Sequence, residues 1–112
     1  MTQLPLTNLE GILPFREGQR HLLPLIDLPG QAKVVVVALS VGVTIPPHAM
    51  HCEAVLLVLS GTIEFMIGET WRRVETGQFL GIPAGANHSV RAVEASRFLV
   101  MQSFVGAPGK AH

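Results

Sequence analysis

The chain has little charge and almost no cysteine. Only 14% of its 112 residues are charged, and eight Lys and Arg residues balance eight Asp and Glu residues. A neutral chain has no basic field that would concentrate phosphate groups or anionic lipids, so we expect neither nucleic acid nor a membrane as a partner. With 48% apolar residues the chain is too hydrophobic for disorder, which predicts one packed domain over residues 1–112.

The sequence also lacks the patterns of an exported or membrane-spanning protein. Cys52 is the only cysteine, so no internal disulfide can form, which suits a reducing compartment. The first residues contain no basic stretch followed by an apolar core. The longest charge-free stretch, residues 34–52, is interrupted by glycine, proline and histidine, unlike a spanning helix. We therefore expect a cytoplasmic protein.

What the chain does contain is a series of short apolar runs. They are rich in Val and Ile, end at Gly or Pro, and include residues 34–39, 52–59, 62–67 and 79–82. Runs of four to eight residues at a spacing of about 8–12 residues predict the strands of an all-β sandwich or barrel. Pro29-Gly30 predicts a hairpin turn between residues 22–28 and 31–39.

Two segments follow a known spacing of glycine, proline and histidine. In the first, Gly42 and His48 are separated by five residues and the segment closes at Gly61; the second is GQFLGIPAGANHSVRA, residues 77–92. Both resemble the conserved motifs of the cupin superfamily, over roughly residues 33–104. The resemblance implies a small single-domain cupin with an RmlC-like β-barrel, a double-stranded β-helix jelly roll. The N-terminal segment, residues 1–32, would then add a strand.

The motifs depart from the family pattern at three polar positions. Met50 stands at the second histidine position, Ala54 at the glutamate position and Ala92 at the closing asparagine position. The resemblance implies a metal site of three histidines and one glutamate, of which His48 and His88 remain. The sequence therefore predicts a degenerate metal site.

Strand alternation predicts which side chains enter the barrel. If His48 points inward, residues two apart share its face, whereas His51 and Glu53 point outward. The predicted pocket is mostly apolar and consists of His48, Met50, Cys52, Ala54, His88, Val90 and Ala92. A concave apolar pocket with a few polar groups is typical of a small-molecule site.

Several chemistries remain open for the two histidines. With Cys52 as third ligand they would form a soft site suited to zinc or copper. A β-bulge near Met50 would instead turn His51 or Glu53 inward and form a site of the iron or manganese kind. Nickel is a further divalent transition metal that a site of this family could hold. Without a metal, hydrogen bonds and water would hold the rings, or one ring would act as a general acid or base.

The leading hypothesis is a stand-alone cupin that binds a small, partly apolar molecule in the barrel. The alternative is a metal-dependent enzyme, similar to dioxygenases or isomerases, that uses His48, His88 and a third ligand. A third hypothesis is a protein-interaction role. Val55, Leu57 and Leu59 are all apolar although they face away from His48, which predicts that the N-terminal segment or a second subunit covers them. Because cupins commonly pair through such faces, the resemblance implies a homodimer.

Overall fold

The computed structural model describes residues 6–103, which form nine β-strands and contain no helix. The strands are β1 (Arg20–Leu28), β2 (Ala32–Leu39), β3 (Thr44–Ala49), β4 (Ala54–Ser60), β5 (Thr62–Ile67), β6 (Thr70–Glu75), β7 (Phe79–Ile82), β8 (Asn87–Ala92) and β9 (Ser96–Ser103). The predicted all-β class is therefore confirmed. Within the described range, no helix has the length and apolar character needed to cross a membrane.

The strands form two antiparallel sheets that face each other. One sheet has the order β1-β2-β9-β4-β7 and the other has the order β3-β8-β5-β6. The predicted hairpin joins β1 to β2, and Gln31 N donates to Leu28 O at 2.8 Å across the turn. Gly30 has a φ of 74° in this turn, a conformation that glycine adopts without steric cost.

The barrel interior is closed at one end and open at the other. At the closed end, Leu39, Val58, Ile63 and Ala92 are at most 2% exposed. Six residues earlier on β2, Lys33 is only half-buried, as is Gln102, its register partner on β9. We call these two ends the base and the mouth. Apolar side chains fill the base, so any space for a ligand lies toward the mouth.

Part of the N-terminal segment covers the outer face of the five-stranded sheet. Leu13 is 4% exposed and packs with Val36 and Leu99. Arg97 holds this segment in place, because its Nε donates to Leu13 O at 2.7 Å and its guanidinium lies 4.1 Å from the ring centre of Phe15. The outward-facing Leu57 and Leu59 pack against the same cluster.

Gly61 connects β4 to β5 where the chain passes close to β9. Its φ is 87°, and a Cβ at this position would lie against Ser96 Oγ and 2.5 Å from Ala95 O. Ser96 is fully buried, and its hydroxyl donates to Thr62 O at 3.0 Å. The glycine that closes the first motif is thus required both by backbone conformation and by lack of space.

We expect Gly61→Ala to lower the free energy of unfolding by about 1–3 kcal/mol more than Gly68→Ala, because overpacking adds to the conformational cost. Gly68 is the matched control: its φ is 62°, but a Cβ there would contact nothing within 4 Å. Gly68→Ala should lose only the free energy needed to hold alanine in this backbone conformation, about 1–2 kcal/mol. Urea denaturation of both variants measures the difference, and equal losses would contradict the steric argument.

Candidate functional site

A cavity of about 430 Å³ lies between the two sheets on the side of the mouth. Its walls are mainly apolar and include Leu22, Val35, Val37, Leu56, Phe65, Ile82, Val90, Phe98 and Val100. Its polar side chains are Arg20, Lys33, His48, His88 and Gln102. The arrangement offers an apolar chamber with a small number of polar groups.

His48 and His88 are direct partners in the register of β3 and β8. Their ring centroids are 4.2 Å apart and the ring planes are inclined by 59°. The pairing depends on an irregularity in β3. Ile45 pairs with Val90 and His48 pairs with His88, so two residues of β3 lie opposite a single residue of β8. This bulge contains Pro46 and allows both Ile45 and His48 to line the cavity.

The backbone fixes the orientation and tautomer of both imidazoles. His48 Nδ1 lies 3.0 Å from Pro46 O, and His88 Nδ1 lies 3.1 Å from Ala86 O. A carbonyl oxygen only accepts, so each Nδ1 donates its N–H and each neutral ring carries its lone pair on Nε2. The site therefore presents two hydrogen-bond acceptors, each of which is also able to ligate a metal.

His88 is the more buried of the two histidines, with 3% of its surface exposed. Its ring is stacked on Phe65, with centroids 5.3 Å apart and planes inclined by 12°. Burial lowers the pKa of His88, the hydrogen bond to Ala86 O opposes this change, and the neighbouring His48 lowers the pKa further. The net direction is downward from 6.5, which favours the neutral ring at pH 7.

The second motif also positions Met50 at the mouth. Gly85 N donates to Met50 O at 2.8 Å, which ties the β3–β4 connection to the turn before β8. Gly85 has a φ of 78° in this turn, a backbone conformation that favours glycine over residues with a side chain. Met50 Sδ is in contact with the side-chain amide of Gln102, and both residues line the cavity.

The structure brings together some of the predicted pocket residues and separates others. His48, Met50, His88 and Val90 line the cavity. Ala54 and Ala92 belong to the core cluster, at 5% and 2% exposure. Cys52 is buried at 6% exposure and lies outside the cavity lining.

The candidates for a third metal ligand do not join the two histidines. His51 and Glu53 are exposed, and the strand irregularity lies before His48 rather than near Met50. Within residues 6–103, no group of three or more His, Cys, Asp and Glu side chains is placed to hold a metal ion. Catalytic metal sites usually keep three protein ligands, so the donor set of the described residues does not fit such a site.

Three polar lining residues lie outside the predicted pocket. Lys33 follows from the alternation of β2, because residues 33, 35 and 37 share a face, and Gln102 is its partner on β9. Arg20 lies in the N-terminal segment, whose path the motifs do not define.

The bulge in β3 did have a signal in the sequence, namely Pro46 and Pro47, since proline in a strand is confined to edges and bulges.

The lowered pKa of His88 predicts how stability depends on pH. In the unfolded chain a histidine titrates near 6.5, so between that pH and the lower folded pKa the unfolded chain binds more protons. The stability that the neutral, buried His88 ring contributes is therefore fully present above about pH 6.5. It is lost as the pH falls through the lower pKa of His88 in the folded protein. The melting temperature of the wild type should therefore drop more between pH 7.5 and 5.5 than that of His88→Gln. Parallel pH profiles would contradict the assignment.

Comparison with solved structures finds the same fold in bacterial proteins. A conserved protein of unknown function from Streptococcus pyogenes is 26% identical, with a TM-score of 0.82 over 92% of this chain and 90% of the other. A cupin superfamily protein from Desulfitobacterium hafniense is 14% identical, with a TM-score of 0.82 over 92% and 94% of the two chains. An RmlC-like cupin from Desulfovibrio desulfuricans is 24% identical, with a TM-score of 0.79 over 90% and 97%.

A search of curated proteins finds no match. The family model for the cupin domain matches residues 35–102, a range that includes both sequence motifs and every strand from β3 to β8. The match, together with the structural likeness, confirms the resemblance seen in the motifs and the expected RmlC-like barrel: the chain belongs to the cupin domain family.

Proposed function

We propose that this protein binds a small, partly apolar molecule in the barrel and that its degenerate metal site takes part without a resident metal. The observation that carries the proposal is the cavity of about 430 Å³ with mainly apolar walls. Ligand pockets of roughly 300–1,000 Å³ are common for small molecules, and a few polar groups fix the orientation of the ligand.

The two histidines supply part of that orientation. Each Nδ1 is engaged with a backbone carbonyl, so each Nε2 accepts a hydrogen bond from a ligand hydroxyl or amide group. Phe65 and Val90 lie beside His88 on the wall, which favours an apolar group close to the acceptor. The bound molecule would thus direct a donor toward the histidines and its apolar part along the walls.

The alternative function is a metal-dependent enzyme similar to dioxygenases or isomerases. One observation favours it: histidines that bind metals usually donate the second ring N–H to a carbonyl or carboxylate, as both Nδ1 atoms do here. Against it, Met50, Ala54 and Ala92 bring no charge or hard oxygen ligand to the site, and hard cations require oxygen ligands. His51, Cys52 or Glu53 would have to move before one of them completed the set.

A ligand that prefers the native state must raise the melting temperature. We expect at least one compound of a broad metabolite set to do so for the wild type. Val100→Phe, which fills part of the cavity, should reduce the shift at least fivefold, whereas Val93→Phe, 37% exposed and outside the lining, should leave it unchanged.

Two results would overturn this proposal. One is that no compound of the set shifts the melting temperature. The other is that untagged protein, purified without chelator, retains about one equivalent of iron, manganese, zinc, copper or nickel by plasma mass spectrometry and loses it in His48→Ala or His88→Ala. That second result would support the enzyme instead.

We also propose that the protein is a cytoplasmic homodimer. A row of mostly apolar residues crosses the outer face of the five-stranded sheet, consisting of Ile26, Val34, Met101, Val55 and Gly81 in register. Ile26 is 44% exposed and Met101 is 37% exposed, and such a row favours contact with a second copy. The single, buried cysteine is consistent with a reducing compartment.

Replacing Met101 with aspartate should prevent pairing, because a charge in the row would have to be desolvated on association. We expect sedimentation velocity at micromolar concentration to give a dimer for the wild type and a monomer for Met101→Asp. Leu22→Asp, on an exposed part of β1 that faces the cavity, is the control and should remain dimeric. A monomeric wild type would contradict the proposal.

A further inference from the structure

The charged side chains on the cavity lining are all basic. Arg20 and Lys33 line it, whereas none of the eight Asp and Glu residues, all of which lie within residues 6–103, does so. Since the whole chain carries equal numbers of basic and acidic residues, this excess of positive charge is a property of the cavity and not of the composition.

Lys33 lies where an anion would enter. It occupies the mouth on the inward face of β2, half-buried, and its register partner on β9 is Gln102, which also lines the cavity. Its register partner on β1 is Asp27, which shares this face of the sheet but is exposed and lies outside the cavity lining. The ion pair found among the described residues joins Arg91 to Glu64, so no carboxylate there lies within ion-pair distance of Lys33.

Arg20 also lines the cavity, from edge strand β1; it is exposed and lies in register with Leu39, at the end of the sheet away from Lys33. A guanidinium matches the two oxygens of a carboxylate. Lys33 is half-buried, and partial desolvation strengthens attraction between opposite charges relative to bulk water. The Nε2 atom of a neutral histidine ring accepts a hydrogen bond, so the two rings suit a ligand donor rather than a carboxylate.

We infer that the molecule bound in this cavity is a small organic carboxylate, whose charged group is held at the mouth by Lys33 and the Gln102 amide while its apolar body lies along Val35, Val100 and Phe98. Arg20 adds a second positive charge to the lining, on the exposed edge strand β1. The inference rests on the proposed function and specifies the chemical class of its ligand.

Three probes with one apolar body test the inference: cyclohexanecarboxylate, its primary amide and cyclohexylmethylamine. Titration calorimetry at pH 7.5 and low ionic strength should show that the carboxylate binds at least tenfold more tightly than the amide, and that the amine binds weakest. Lys33→Met should weaken carboxylate binding about tenfold and leave amide binding within twofold. Arg73→Met removes the same charge from an exposed position outside the lining and should keep wild-type affinities.

The outcomes separate this inference from the function on which it rests. If the amide binds as tightly as the carboxylate, the carboxylate assignment is wrong and the small-molecule proposal stands. If the carboxylate is preferred but Lys33→Met and Arg73→Met weaken it equally, the preference comes from the general field of the protein, and the assignment to Lys33 is wrong. If none of the three probes binds, the inference is wrong. The proposed small-molecule function is then tested separately by the melting-temperature screen with the metabolite set.

Discussion

The packing of apolar side chains between the two sheets determines where everything else in this protein can lie. Leu39, Val58, Ile63 and Ala92 close the base so completely that a polar group there would lose its water without gaining a partner. Burying an unpaired polar group costs about 1–3 kcal/mol in proteins. Of the polar side chains that line the cavity, Lys33, His48, His88 and Gln102 therefore lie toward the mouth, and Arg20 lies on the exposed edge strand, where water or a ligand satisfies them.

The fold was largely predictable from the sequence because it depends on local patterns. Short Val-rich runs, turn glycines and the two motif spacings define most strands and the barrel that they form. The site was predictable only in part. Alternation places His48, Met50, His88 and Val90 on the cavity wall, but it fails to place Cys52, which lies in a connection between strands rather than in a strand.

What the sequence could not provide is information that depends on distant parts of the chain. Arg20 reaches the cavity only because β1 lies at the edge of the five-stranded sheet, and no local pattern predicts that position. The bulge in β3 is an intermediate case. Pro46-Pro47 indicates an irregular strand, but its effect on His48 depends on the register with β8. A site made by several strands is thus harder to predict than the strands themselves.

The position of β9 has a consequence for how the chain folds. It is the last strand in the described sequence, yet it lies in the middle of its sheet, between β2 and β4, and Arg97 bonds to Leu13 across 84 residues. During synthesis β2 and β4 therefore expose apolar, unpaired edges until residues 96–103 have left the ribosome. Contacts of such long sequence separation slow folding, and exposed strand edges favour aggregation. The five-stranded sheet is therefore completed only after residues 96–103 have been synthesised, and the exposed edges favour aggregation until then.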